Sequence, residues 1–340
     1  MRTLTITEIQ SRLGNKIDVK SLYGNIKNDL HKVEEQLKLF SQSENKLISE
    51  VSGYLFKNSG KRIRPALLVL CSKLLGYQGK EHIILAALVE AIHTASLIHD
   101  DIIDDSKKRR GRESVHSKWG PNITVLLGDY LYIKSINLSL QSQYNQTIRI
   151  LTEISARMIE GELTEYWMSG NLDIAERDYL DIINKKTASL FSAACHLGGV
   201  LGEATEKEKN FLVDYGTNLG MSFQVIDDLL DYTGEEQSLG KPILSDLREG
   251  RITLPLIYTL KNDGKASRKF IIDVLNKQNF EEDSQKEILR LFRSNGALDY
   301  TFKKAREFSE KSKEIISQFP QSIHRDSLTI LADFVLKRRK

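Results

Sequence analysis

Only two cysteines occur in the 340 residues, Cys71 and Cys195, far apart in the chain. That excludes a disulfide-rich scaffold and fits a reducing compartment. Prolines number five, and β-branched residues rarely alternate with polar ones, so a strand-rich fold is excluded. The formal net charge is only +3, and no global basic field points to nucleic acid. The opening MRTLTITEIQSRLG lacks the apolar core of a secretory signal. No run reads as long and uncharged enough to span a bilayer; the nearest, residues 83–98, is interrupted by Glu90 and His93. With 40% hydrophobic and 28% charged residues, the expectation is a soluble, cytoplasmic globular protein.

What is present is apolar spacing of three and four residues almost throughout. It predicts helices near 19–40, 43–57, 63–76, 81–105, 121–143, 146–169, 176–200 and 205–232. Shorter ones follow near 248–261, 265–276, 282–294, 297–317 and 323–338. Pro121 suits a first helical turn, and Gly76 and Gly170 suit C-terminal stops. Residues 231–251 form the one long polar, glycine-bearing break. No repeat and no compositional shift divides the chain. The fold class expected is all-α, a single large helical bundle over residues 1–340. Residues 83–98 and 218–230 are apolar nearly all round, as in helices at a bundle's centre, yet both runs end in aspartates.

In HDDIID, Asp100 and Asp104 are four residues apart, about 40° around a helix, and His93 lies on nearly the same stripe two turns deeper. FQVIDDLLD repeats the pattern with Asp227, Asp228 and Asp231, and Gln224 lies one turn before Asp228. Carboxylates one turn apart suit hard divalent cations such as Mg²⁺. One such cluster is explained as a solvated acidic helix end. Two, each ending a nearly all-apolar helix, are not, because burying seven uncompensated carboxylates (these five with Asp101 and Asp105) is prohibitive. The alternate-position oxygens and glycine of an EF-hand are missing. A two-metal phosphodiester hydrolase stays open.

Basic residues accompany the acids. SGKRIRP sets Lys61, Arg62 and Arg64 at a glycine-opened helix start, where an anion would bind. Arg109 and Arg110 follow the first cluster, Lys186 and Thr187 sit in INKKTASLF, and Lys241, Arg248 and Arg251 lie in the polar break. Solvation explains each of these alone, as it explains Lys107, Lys108 and the C-terminal KRRK, read as a frayed basic end. His31, His82, His116, His196 and His324 are read as surface or core histidines, and His99 as a candidate partner of the acids.

The ordered set GKRxRP, HxxxxxHDDxxD, RRG, KT, FQxxDDxxD and GKPxxxDLxxG resembles the trans-type isoprenyl (polyprenyl) diphosphate synthases, from about Ser59 to Leu256. The resemblance implies the isoprenoid synthase fold around a central cavity and a Mg²⁺-dependent, head-to-tail condensation of isopentenyl diphosphate onto an allylic diphosphate. By it, Asp100, Asp104, Asp227, Asp228 and Asp231 would hold two or three Mg²⁺ ions, with Asp101 and Asp105 weaker candidates. Arg109, Lys186 and Lys241 would bind the allylic diphosphate. Lys61, Arg64, His93 and Arg110 would bind isopentenyl diphosphate, and Thr187 and Gln224 would face the developing carbocation. Leu244 and Arg251 depart from the family's frequent glycine and lysine and bear on the closing loop. The family expectation is a homodimer; transient membrane contact during product release stays open.

In this family the residues four and five before the first motif set product length; here they are Ser96 and Ala95, both small. The resemblance therefore implies a long-chain product of roughly seven to ten isoprene units, a number that buried area alone does not supply. Tyr130 or Tyr132 would floor the tunnel further down. Close helix packing explains small residues there equally well. Three alternatives are a geranylgeranyl- or farnesyl-length synthase, a cyclase or head-to-head enzyme on the same scaffold, and a non-catalytic partner subunit. The basic residues argue against the second, and the complete aspartate clusters against the third.

Overall fold

The structure is a computed structural model, and it describes residues 22–57, 60–109, 111–233, 243–277 and 280–338. After a 3₁₀ turn at Gly24–Ile26 come α1 (Lys27–Phe40), α2 (Lys46–Phe56), α3 (Ile63–Leu74) and α4 (Glu81–Ile103). A two-residue hairpin, β1 (Lys108–Arg109) with β2 (Arg112–Glu113), leads to α5 (Val115–Trp119), α6 (Pro121–Ser139) and α7 (Gln146–Trp167). Then α8 (Glu176–Ile183) runs through a π-helical turn (Asn184–Ala188) into α9 (Ser189–Leu201), followed by α10 (Glu206–Asp231). The rest is α11 (Ser245–Arg248), α12 (Leu254–Asn262), α13 (Lys265–Lys277), α14 (Glu282–Ser294), α15 (Ala297–Ile316) and α16 (Ile323–Lys337). The all-α expectation holds. Not expected were the hairpin, the short helices α5 and α11, and the break of the 176–200 helix at the π turn; the helix expected over 248–261 begins at Leu254.

Local chemistry sets the ends. Pro121 opens α6, where its missing N–H costs no bond. Thr205 and Glu208 cap α10 reciprocally. Gly76 and Gly170 take positive φ at the stops assigned to them.

α4 and α9 sit at the centre. Nearly every residue of α9 is buried, and it packs on α3, α7 and α10 while α4 packs on α6. One apolar cluster gathers α1 to α4, α9 and α16. A second gathers α8, α12, α14 and the C-terminal half of α10. By length and composition α4 does pass for a membrane span, against the reading of residues 83–98 above, but 67% of its apolar window is buried inside the fold. Inside the core, its Glu90 is neutralised by Arg62. Cys71 and Cys195 are buried and form no disulfide.

Candidate active site

Helices α4 and α10 deliver their C-terminal aspartates to one region. Asp100 lies in the last turn of α4 and Asp104 caps it; Asp227, Asp228 and Asp231 end α10. Arg251, just before α12, joins them. Its Nη2 is 3.2 Å from Asp104 Oδ2 and its Nε is 3.9 Å from Asp246 Oδ1. The backbone N–H of Asp246 donates to Asp231 Oδ2 at 3.1 Å, and Ser245 Oγ donates to Asp231 Oδ1 at 2.6 Å. The acidic surroundings, Asp246 first among them, hold the Arg251 guanidinium charged against the cost of its burial. A second path crosses through the π turn. The Lys186 charge acts on Asp100, while Thr187 Oγ1 donates to Gln224 Oε1 at 2.8 Å and Gln224 Nε2 donates to Asp228 Oδ1 at 2.7 Å. A π bulge is a frequent device for aiming side chains at a functional centre, and here it turns Lys186 and Thr187 toward both motifs.

These carboxylates are short of counter-charge. Burial, then Glu162 and Asp104, push Asp100 up to about 7 despite the pull of Lys186 and Arg109. Burial and neighbouring Asp246 and Asp227 push Asp228 up to about 8, although Tyr179 Oη donates to it at 2.5 Å. Among the described residues, no three His, Cys, Asp or Glu side chains are already drawn together around an ion position. The donor set is nonetheless all oxygen, and Asp100 and Asp228 are held well above the usual carboxylate range without a cation, so the residues fit a hard divalent ion. In the unfolded chain both acids titrate near 4. The metal-free fold therefore loses stability as pH climbs from there through 8, and a bound cation removes that loss. Mg²⁺ should raise the melting temperature more at pH 8 than at pH 6; equal shifts would count against this site.

The remaining assigned residues divide. Arg64 Nη1 is 3.0 Å from His93 Nε2, its guanidinium lies over Phe191, and Lys61 sits over Phe334. Arg64 and His93 thus meet between α3 and α4, while Lys61, just before α3, lies against α16. Arg109 Nε donates to Asp101 Oδ1 at 2.5 Å, so Asp101 already has a cation of its own. Exposed Asp105 pairs with Lys107 and His116. Arg110 and Lys241 lie outside the described residues. His99, offered above as a partner of the acids, instead contacts the Val125 carbonyl at 3.2 Å and Asp129 at 3.4 Å. It stacks on Tyr132, and a Cβ on Gly128 would come within 2.2 Å of its ring, so glycine is what lets α6 approach α4 there. Ala95 and Ser96, one turn deeper on the same face of α4, point toward that seam; Ala95 is fully buried and Ser96 half-buried.

Three features escaped the sequence reading. Glu162 and Glu165 on α7 grip Lys186. Asp246 completes the Asp231 corner. Arg338, in the supposed frayed end, is buried, stacks on Phe223 and donates to Asp227 Oδ1 at 2.9 Å. A basic run following an apolar helix was its one available signal.

Comparison with known proteins decides the family. A polyprenyl synthetase family model matches residues 45–292. The chain belongs to the polyprenyl synthetase family. It is 34% identical to the octaprenyl diphosphate synthase of Haemophilus influenzae, over 89% of this chain and 92% of that one. It is 36% identical to the geranylgeranyl diphosphate synthase of Saccharolobus solfataricus, over 95% and 99%. The structure superposes on a polyprenyl synthase from Caulobacter crescentus, complexed with calcium and isoprenyl diphosphate, with a TM-score of 0.91 at 34% identity, covering 96% of this chain and 99% of that one. The enzyme is a prenyltransferase with the all-α isoprenoid synthase fold.

Proposed function

We propose that this polyprenyl synthetase joins isopentenyl diphosphate head-to-tail to a farnesyl- or geranylgeranyl-type diphosphate and repeats the step to a long all-trans chain. The observation that supports it most is the pair of aspartate motifs linked through Arg251, which contacts Asp104 and Asp246, and through Asp246, which bonds Asp231, beside Lys186. Mg²⁺ held by Asp100, Asp104, Asp227, Asp228 and Asp231 would neutralise the leaving diphosphate. Lys186 and Arg109 add fixed positive charge on that group, where a buried donor acts more strongly than in water. When the allylic C–O bond breaks, the electron pair leaves with the diphosphate and the cation forms at C1. Thr187 donates its proton to Gln224 and keeps its oxygen lone pairs for that cation. Lys61, Arg64 and His93 would hold isopentenyl diphosphate so that its terminal carbon attacks C1, and a C2 proton passes to the departed diphosphate. The protein needs no nucleophile of its own.

Purified protein given Mg²⁺, farnesyl diphosphate and labelled isopentenyl diphosphate should yield a ladder of polyprenyl products. Cyclic hydrocarbon, or no product, would refute the reading. Similarity alone leaves product length open between the octaprenyl and geranylgeranyl relatives; small Ala95 and Ser96 beneath the His99–Tyr132 stack favour the longer. Ala95→Phe should shorten the product by several isoprene units, and an unchanged ladder would remove Ala95 from the tunnel wall.

For assembly, a homodimer is supported by two apolar stripes on adjoining helices. Leu126, Ile133 and Leu140 recur every seven residues along and just past α6, and Ile159, Leu163 and Tyr166 follow on α7 with Trp167, which is 84% exposed. A patch of this kind on a lone chain is an interaction surface. Sedimentation at the dimer mass checks it. A cytoplasmic location fits the free cysteines.

A further inference from the structure

Lys186, whose charge acts on Asp100, already has two carboxylates of its own. Its Nζ is 2.6 Å from Glu162 Oε2 and also bonds Glu165 Oε2. Both acids lie three residues apart on α7 and face the π turn. The approach depends on Gly161, because a Cβ there would stand 2.6 Å from the Lys186 backbone nitrogen and 3.0 Å from its Cα. A lysine stem has four rotatable carbons, and fixing it is entropically costly unless partners hold it. Two carboxylates take two of its three N–H donors and leave the third for an anion. The half-buried acids are poor metal ligands as they stand, since an ammonium occupies the space between them.

We infer that Glu162 and Glu165, admitted by Gly161, are positioning residues that aim Lys186 at the allylic diphosphate. They touch neither substrate nor metal and act through the lysine. This rests on the proposed prenyl-transfer reading and adds to it the means by which the π-turn lysine is held. Burial would lower the Lys186 pKa, but Glu165, Glu162 and Asp100 together raise it above the usual lysine value, so the ammonium stays charged across the working range. Glu162 in turn is raised by burial and lowered by Lys186.

The test separates aim from folding. Glu162→Ala/Glu165→Ala should weaken farnesyl diphosphate binding, read by calorimetry with Mg²⁺ present, by about tenfold, a loss of about 1.4 kcal/mol. The KM for isopentenyl diphosphate should stay within twofold. Glu162→Gln/Glu165→Gln should restore most of the affinity, since amide oxygens still accept from the ammonium, and should leave the Mg²⁺ affinity unchanged. Gly161→Ala should weaken farnesyl diphosphate binding in the same direction. Equal losses for both substrates, unchanged farnesyl diphosphate affinity in the Ala pair, or a fall in Mg²⁺ affinity in the Gln pair would each overturn the inference. A wild-type protein that binds farnesyl diphosphate but makes no prenyl product would overturn the reading of function and not this one.

Discussion

Asp100→Asn should cut kcat for prenyl transfer roughly a thousandfold, about 4 kcal/mol, while leaving the metal-free protein as stable as before or more so. The two effects have one origin. Asp100 is a half-buried acid whose charge is unwelcome without a cation, and its folded pKa of about 7 lies above the unfolded value. Above neutral pH the native state therefore bears a cost that a neutral amide of the same shape does not. Once a metal and a diphosphate are present, the same charge becomes an asset, and the amide supplies none. Steady-state kinetics and a thermal melt in chelator measure both halves. Retention of kcat within threefold, or a large drop in melting temperature, would show Asp100 to be structural. Sites that trade stability for chemistry behave in this opposed way.

Arg62→Met should cost about 3–5 kcal/mol of folding free energy, the range for breaking a buried ion network by removing one partner. Arg62 holds φ 51° at the N-terminal end of α3, a left-handed conformation that methionine tolerates no better, so the change isolates the charge. Its Nε and Nη2 donate to Glu34 at 2.5 and 3.1 Å, and its Nη1 donates to Glu90 at 2.6 Å, with Glu90 only 3% exposed. Without the guanidinium, Glu90 is stranded in the core helix that carries Asp100. Adding Glu90→Leu should recover much of the loss, because replacing both partners by apolar groups avoids the stranded charge. Urea unfolding measures it, and a cost below about 1 kcal/mol would show that water reaches Glu90. The same network holds Lys61 and Arg64 on either side of Arg62, so catalysis should fall as well.

Arg62 also shows where sequence reasoning stops. GKRIRP reads as three equivalent cations, and nothing in spacing reveals that the middle one turns inward to two acids some 28 residues away on each side. Residues 83–98 and 218–230 were legible because helices apolar all round must be central, and aspartates ending such helices need a reason. The all-α class followed from the same periodicity. The π turn was not legible, since a one-residue slip in the hydrogen-bond ladder leaves no trace in a 3.6-residue pattern. Glu162 and Glu165 looked like an ordinary solvated face, because periodicity identifies a face and not the neighbour that covers it. Arg338 was hidden for the reason that terminal basic runs are usually solvated, whereas here α16 carries it onto Asp227. Leu244 and Arg251 stood out only against the family pattern. In the structure Leu244 is fully buried at φ 63°, a conformation glycine would take without strain, and its side chain fills the second apolar cluster.

In the proposed reaction, two helix ends act on one diphosphate through shared cations. Counting bound Mn²⁺ by electron paramagnetic resonance, with and without inorganic diphosphate, tests it in wild-type protein, Asp100→Asn and Asp228→Asn. Diphosphate should tighten Mn²⁺ binding in the wild type, and losing either aspartate should abolish that enhancement. If one variant kept the full diphosphate-dependent enhancement, the two motifs would not be halves of a single site.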